Sequence, residues 1–146
     1  MEYTYAPVQL KQASIVIMNT NKQRGLTDSK YNERRAECEH ALSQLQTVVK
    51  IKNLCDLKET EFEKVQHIIT SPVERKRARH AVLENIRVKK AIAALEKNDI
   101  EEFGALMNAS HISLRDDYEV TGIELDTLVE SAWNQSGTIG ARMTGA

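Results

Sequence analysis

The sequence has 146 residues, and its 20 basic and 21 acidic side chains give a formal net charge of −1. This length suits one domain with a single core, and the balanced charge lacks the basic excess of most nucleic-acid-binding domains. No stretch approaches the roughly 18 consecutive apolar residues of a membrane-spanning helix, so we expect neither a nucleic acid nor a membrane partner. The two cysteines, Cys38 and Cys55, lack the spacing of a metal-binding pair, which favours free thiols and a cytoplasmic location.

Residues 1–20 predict a pair of strands. The segment Tyr3-Thr4-Tyr5-Ala6-Pro7-Val8 has aromatic and β-branched character, and its proline suits a strand end or a sheet edge. The segment Ser14-Ile15-Val16-Ile17-Met18 is a short apolar run, typical of a strand that is covered on both faces. The spacer between the two segments is long enough for a loose antiparallel pair.

Residues 27–134 have helical periodicity and predict a layer of about five helices. The clearest start is Ser71-Pro72 with Glu74 three residues after the serine, and this third helix should be the longest, running to about Lys97. In chain order, the predicted N-terminal caps are one of Thr27, Asp28 and Ser29, then Asp56 or Thr60, then Ser71, Asp99 and a start near Gly122. The predicted inward residues include Cys38, Ala41, Leu42, Leu45, Val48, Val49, Phe62, Ala78, Val82, Leu106, Met107 and Val129.

Residues 137–146 are small, polar and rich in glycine, and they contain the run Gly140-Ala141-Arg142-Met143-Thr144-Gly145-Ala146. Glycines let a backbone approach a ligand closely, so this run is the best candidate for a turn that faces a phosphate or a sugar. The run has neither the Walker A spacing nor the Rossmann spacing of phosphate-binding loops.

Charged residues are clustered: residues 72–97 carry a local charge of +5 and residues 99–130 a local charge of −8. The basic run at 75–79 would fan around a helix without interleaved aromatic residues, which indicates a solvated or salt-bridged face. At Arg115-Asp116-Asp117-Tyr118, adjacent carboxylates could bind a cation, but an exposed polar helix end with Arg115 paired locally is favoured. The four histidines lie on four predicted elements, so no metal site is predicted.

Several blocks resemble the central region of one family. They are Asn19 to Lys22, Asp28 to Cys38, Arg77 to His80, Glu102 to Met107, Ser110 to Val120, Glu124 to Leu128 and Gly140 to Ala146. In this order and spacing they resemble galactokinases of the GHMP kinase superfamily. The last block resembles the start of the family's third motif, a glycine-rich turn.

The resemblance implies a parent enzyme that transfers the γ-phosphate of ATP, with Mg²⁺, to the C1 hydroxyl of α-D-galactose. By family position, Tyr31 would hydrogen-bond galactose, and Gly140 to Ala146 would lie near the phosphates and the sugar. The family's sugar signature, phosphate loop and catalytic aspartate precede the region that this sequence matches. We therefore expect no catalytic residue, metal ligand or cofactor held by this chain alone, which should be inactive without the remainder of a galactokinase.

The fold expected is α+β and mostly helical: two N-terminal strands, then about five helices that flank an antiparallel sheet. Residues 1–146 would form a single partial domain, with a strand pair at 1–20, a helical layer at 27–134 and the glycine-rich motif at 137–146. The sheet would be completed by strands that follow Ala146, so self-association through the uncovered face is expected. The alternative is a helical protein-interaction module without catalysis, whose partner surfaces would be the two charged segments.

Overall fold

The computed structural model describes residues 5–6, 8–10, 12–22 and 30–144. Over these residues the chain forms five α-helices: α1 (Lys30–Leu45), α2 (Glu59–Val65), α3 (Pro72–Glu96), α4 (Ile100–Asp116) and α5 (Ile123–Trp133). Short 3-10 turns at Leu54–Asp56 and Gln66–Ile68 precede and follow α2. The predicted series of five helices is confirmed, with α3 the longest. None of the described helices combines the length and the apolar character needed to cross a bilayer.

Three of the predicted helix starts are confirmed by their caps. The Ser71 hydroxyl accepts a hydrogen bond from the Glu74 N–H at 3.3 Å, and the Asp99 carboxylate accepts one from the Glu102 N–H at 3.0 Å. Helix α5 begins after Gly122, whose φ of 79° lies in the left-handed region that favours glycine. The two capping side chains satisfy N–H groups that the first helical turn leaves without partners.

The predicted start of α2 is wrong, since Lys58 precedes the helix and neither Asp56 nor Thr60 caps it. The Asp56 carboxylate instead accepts hydrogen bonds from the N–H groups of Lys52 and Asn53, at 2.8 and 2.9 Å. These bonds lower the pKa of Asp56, and they use this carboxylate to close the 3-10 turn before α2. The candidate caps of α1, residues 27–29, lie outside the described residues.

The two N-terminal strands and the antiparallel sheet are wrong for the part of the chain that the structure describes, which contains no strand. Residues 14–18 make no backbone hydrogen bond to another described segment, and Ile15, Val16 and Ile17 are 71, 76 and 87% exposed. A strand exists through its ladder of bonds to a neighbour, and β-propensity reflects packing on that neighbour. Residues 14–18 therefore have the composition of a strand, but no described segment lies beside them to pair with. Residues 3, 4 and 7 of the other predicted strand lie outside the described residues.

The apolar core lies between α1, α2 and one face of α3. It contains Ala41, Leu45, Leu54, Leu57, Phe62, Ile69, Ala78 and Val82, all buried. Ala78 and Val82 are one helical turn apart, so they form a single stripe on α3. This stripe confirms the apolar periodicity that the sequence predicts for α3. Of the predicted α1 stripe, Val48 lies beyond the helix end and is 53% exposed.

Helix α4 packs against a different face of α3. That face carries Arg77, His80 and Glu84, and it meets Ser113, Ser110 and the end of α4. We call this contact the polar seam. Helix α3 therefore lies between α1 and α4. The C-terminal end of α4 approaches α1, and its centre carries the glycine-rich segment.

Candidate functional site

Tyr31, the predicted galactose contact, lies in the first turn of α1 and is 71% exposed. Arg34 and Cys38 follow it at helical spacing on the same face, and they are buried and half-buried. The face of α1 that packs inside the protein therefore reaches the surface at Tyr31. An exposed phenol on an otherwise packed face can reach a ligand without any change in the helix.

Arg77 joins α1 to the end of α4. Its side chain is 2% exposed; Nε donates to Glu37 at 2.9 Å and Nη2 donates to Glu119 at 2.9 Å. Its Nη1 donates to the backbone carbonyl of Asp117. The basic run is thus salt-bridged at this position, but it is not solvated. A planar guanidinium with several donors suits such a three-way contact.

His80 forms the middle of the polar seam. Its Nδ1 lies 2.9 Å from the Ser113 hydroxyl, and that hydroxyl donates to the Asp117 carboxylate at 3.0 Å. Because the serine proton is given to the carboxylate, His80 must supply the proton of its own bond. This direction is the reverse of an activated serine, whose proton moves toward histidine. Burial lowers the pKa of His80 to about 4, so the ring is neutral at pH 7.

Tyr118 closes this cluster next to α1. Its ring stacks on His80 with centroids 4.5 Å apart, and its hydroxyl bonds to the Cys38 thiol. Burial, followed by the neighbouring Cys38, raises the pKa of Tyr118 to about 12, and burial also raises the pKa of Cys38. Both groups are therefore protonated at pH 7 and serve as packing and hydrogen-bonding groups. Both cysteines of the chain are free thiols.

The adjacent carboxylates at the end of α4 do not converge. Arg115 Nε pairs with Asp116 at 2.8 Å and lowers its pKa, whereas the Asp117 carboxylate is turned toward Ser113. Arg115 also lies 3.4 Å from Glu130 on α5. These contacts confirm the exposed polar helix end with local pairing. Among the described residues, no group of three or more His, Cys, Asp or Glu side chains could hold a metal ion.

The glycine-rich segment, described to Thr144, runs along α4. The side-chain oxygen of Asn108 accepts from the Ala141 N–H at 2.8 Å and from the Trp133 indole N–H at 2.7 Å. One turn further, His111 Nδ1 accepts from the Met143 N–H at 3.2 Å. Two side chains of one helix thus hold alternate N–H groups of the segment. Gly145 and Ala146 of the predicted binding run lie outside the described residues.

Gly140 is used for packing on α4. A Cβ built on Gly140 would lie 2.6 Å from Gly104 Cα, and a Cβ on Gly104 would lie 2.6 Å from the side chain of Ile139. Both contacts are too short for any side chain, so this pair of glycines lets backbone approach backbone. The sequence predicted that the backbone of this run approaches a ligand closely. In the structure the backbone at Gly140 approaches helix α4 closely instead. The sequence did contain a signal for this packing, namely Gly104 inside a predicted helix. A glycine there destabilises the helix by about 1 kcal/mol relative to alanine and usually has a packing reason.

Arg142, the basic residue of the run, is committed to the protein. Its Nε donates to the Met143 carbonyl at 2.8 Å, and Nη1 lies 3.4 Å from Glu84. Glu84 also accepts from Arg87 at 2.6 Å and from Ser110. Burial alone would raise the pKa of Glu84, but these bonds outweigh it and lower the pKa. The segment is therefore tied to α3 as well as α4.

Helix α4 is the element that relates the two predicted binding regions. No hydrogen bond or ion pair joins Tyr31 to residues 137–144 within the described chain. Instead, the end of α4 carries Tyr118 beside α1, and its centre carries Asn108 and His111 beneath the segment. No local sequence signal identifies the partners of Arg77, His80 or Asn108, because these partners lie 25 to 42 residues away.

Comparisons with known proteins identify relatives of this chain. The family model described as GHMP kinases C terminal matches residues 91–146. A galactokinase of Clostridium beijerinckii is 61% identical over 146 residues, and one of Fusobacterium nucleatum is 62% identical over 147 residues. In both cases the match covers 100% of this chain and 38% of the relative, so the chain spans well under half the length of these proteins.

A solved structure gives the same result. The crystal structure of Lactococcus lactis galactokinase complexed with galactose matches with a TM-score of 0.85 and 55% sequence identity, covering 88% of this chain and 33% of that one. Identity of this level along the whole chain favours the galactokinase interpretation over a separate interaction module. The chain is therefore homologous over its whole length to a part of galactokinases, and its residues 91–146 match the GHMP kinase C-terminal model.

Proposed function

We propose that this chain is the part of a galactokinase that contributes one galactose contact and one wall of the site near the transferred phosphate. The complete protein would transfer the γ-phosphate of ATP to the C1 hydroxyl of α-D-galactose. The single observation that carries this proposal is identity of about 60% to galactokinases over the entire chain. The similar Lactococcus lactis galactokinase was crystallised as a complex with galactose, which supports this sugar as the substrate.

Tyr31 is the proposed galactose contact. Its exposed position in the first turn of α1 leaves the phenol free to donate to one sugar hydroxyl and accept from another. The helix is fixed behind it by Arg34 and Glu37, which pair with each other, and by the bond from Arg77 to Glu37. A contact held on a rigid helix orients a substrate better than one on a loop.

The glycine-rich segment is the proposed wall near the phosphate and the sugar. The N–H groups of Ala141 and Met143 are used by α4, whereas those of Gly140, Arg142 and Thr144 have no partner among the described residues. Alternation of this kind is that of an extended chain, whose successive N–H groups point to opposite sides. Backbone N–H groups suit the anionic oxygens of a phosphate, so the donors present fit ATP at this position.

ATP supplies the transferred phosphoryl group when it is bound. Phosphoryl transfer depends on positioning and on neutralising charge, and this chain's own contribution would be to orient the sugar through Tyr31 and to present N–H groups. We assign no metal ligand and no catalytic base to the described residues; Mg²⁺ and the base would be held by other parts of the parent enzyme.

A chimeric enzyme tests the proposal. The matching region of the Clostridium beijerinckii galactokinase is replaced by this chain, and galactose-dependent ADP release is measured. We expect the chimera to keep kcat within about tenfold of the parent, and the 146-residue chain alone to release no ADP. A folded chimera without galactose-dependent turnover would show that this chain is not a working part of a galactokinase.

Tyr31→Phe in the same chimera tests the sugar contact. Loss of one hydrogen bond of about 1.4 kcal/mol should raise the KM for galactose about tenfold and change the KM for ATP less than about twofold. Tyr5→Phe is the matched control, because it removes the same hydroxyl from another exposed tyrosine. Equal changes in both KM values would contradict the role of Tyr31.

A further inference from the structure

We propose that His111 is a positioning residue that sets the register of the glycine-rich segment on α4, and that it does so in one fixed tautomer with the proton on Nε2. This inference rests on the proposed function, in which that segment forms a wall of the substrate site. His111 itself lies beneath the segment and would touch no substrate.

The geometry assigns the tautomer. The His111 ring is 0% exposed, and its Nδ1 accepts the Met143 N–H at 3.2 Å, so Nδ1 must carry a lone pair. In a neutral ring the proton is then on Nε2. This nitrogen lies 3.3 Å from Asp126 Oδ1 on α5, without the geometry of a hydrogen bond, and neither atom forms a hydrogen bond to any other described residue. The negative charge of this carboxylate beside Nε2 favours a proton on that side of the ring.

His111 therefore connects three elements through one ring: α4 carries it, α5 faces Nε2, and the glycine-rich segment binds Nδ1. The ring also forms a T-shaped contact with Trp133, with centroids 5.7 Å apart at an interplanar angle of 83°. Asn108, one turn earlier, repeats the pattern, because its oxygen binds both the Trp133 indole and the Ala141 N–H. These two attachments, at alternate residues of the segment, fix which of its N–H groups face α4.

These two attachments determine which backbone N–H groups of the segment can donate to a ligand. With Ala141 and Met143 held on α4, the N–H groups of Gly140, Arg142 and Thr144 are left to face away from it. A slip of one residue would exchange the two sets. A proton on Nδ1 would remove the acceptor for Met143. Burial lowers the pKa of His111, with Arg115 and Arg142 acting in the same direction and Asp126 opposing them. The neutral acceptor form is therefore the one present at pH 7.

The first test reads the tautomer directly in the 146-residue chain. With ¹⁵N-labelled histidine, long-range proton–nitrogen correlation spectra at pH 7 distinguish a protonated ring nitrogen from an unprotonated one. We expect His111 to have a protonated Nε2 and an unprotonated Nδ1. A protonated Nδ1 would overturn the proposal, and this result does not depend on any kinase activity.

The second test separates positioning from packing in the chimeric enzyme. In His111→Asn the amide oxygen can occupy the place of Nδ1 and keep an acceptor for Met143, whereas in His111→Gln the longer amide reaches toward Asp126 and leaves Met143 without one. We expect the Gln variant to lose at least about tenfold in kcat/KM and the Asn variant less than about threefold. His67→Asn, a change at an exposed histidine, is the control.

Packing alone predicts a different pattern. Both variants remove the imidazole and should lower the thermal midpoint to a similar extent, so a purely structural role would reduce kcat/KM equally in both. Equal losses would therefore overturn the proposal. If the unsubstituted chimera has no activity, the proposed function fails, while the tautomer measured in the 146-residue chain still tests the assignment of His111.

Discussion

Helix α3 has two buried faces that are built in opposite ways. One face presents Ala78 and Val82 to the apolar core, and the other presents Arg77, His80 and Glu84 to the polar seam. The apolar face stabilises the fold by removing apolar surface from water, and this effect does not depend on the direction of individual contacts. The polar face must satisfy each donor and acceptor individually, because an unpaired buried polar group is costly. The first face thus gives cohesion, and the second fixes how α4 sits on α3.

This difference matters for the candidate site because both predicted binding regions depend on α4. The end of α4 meets α1 near Cys38, on the face that leads to Tyr31, and its centre holds the glycine-rich segment through Asn108 and His111. A polar seam allows few alternative registers, because a shift of one residue would leave several groups unpaired. We infer that the seam fixes the relative positions of the two regions.

The largest expected effect is a cavity in the apolar core. Phe62 is 2% exposed, and Phe62→Ala should lower the free energy of unfolding by about 4 kcal/mol, through lost burial and the void that remains. Urea unfolding of the chain, followed by circular dichroism, measures this change. Val73→Ala is the control, because Val73 is 45% exposed and its truncation should cost well under about 1 kcal/mol. Equal effects of the two changes would contradict the assignment of the core.

The two faces also differ in how well the sequence predicts them. Apolar periodicity identified the inward residues Ala78 and Val82, because burial of a stripe follows from helical spacing alone. The same helix carries Arg77, and charge there indicated a solvated or salt-bridged face. Its partners, Glu37 and Glu119, are 40 and 42 residues away, and no local sequence pattern predicts such a pairing.

The N-terminal strands and the glycine-rich run show the same limit. Residues 14–18 have strand propensity, but a strand needs a neighbour that propensity cannot supply. In the glycine-rich run, the sequence predicted close approach of the backbone and the structure places Gly104 of α4 against Gly140. Helix caps were predictable because Ser71 and Asp99 act within one turn of their own positions. Accuracy therefore fell as the partner became more distant in sequence.

The next expected effect is on the polar face. Arg77→Met removes the guanidinium, so the Asp117 carbonyl loses its donor and Glu37 keeps only its bond from Arg34; the change should cost about 3 kcal/mol in the free energy of unfolding. Once Arg77 is absent, adding Glu37→Gln should cost less than the same change in the unsubstituted chain, because the bond between these two side chains is already gone. Denaturant unfolding of the two single variants and of the double variant measures these changes. A double variant that loses as much as the sum of the two single changes would contradict the pairing.

The smallest expected effect is a pH dependence to which the polar face contributes through His80. Burial lowers the pKa of His80 to about 4 from its ordinary 6.5, so the unfolded chain binds a proton that the folded chain excludes. The stabilising contribution is therefore complete above pH 6.5 and is lost as the pH falls toward 4. Between pH 7.5 and 4.5 it should cost roughly 2 to 3 kcal/mol in the free energy of unfolding.

His80→Asn isolates this contribution, because the asparagine amide can still donate to Ser113 but does not titrate. The fall in stability between pH 7.5 and 4.5 should be smaller in this variant than in the unsubstituted chain. It should not vanish, because the pKa of His111 is also lowered by burial. His67→Asn removes an exposed histidine and is the control. If His80→Asn leaves the pH dependence unchanged, the ring is charged or solvated in the folded chain, and the polar seam does not exclude water as its burial indicates.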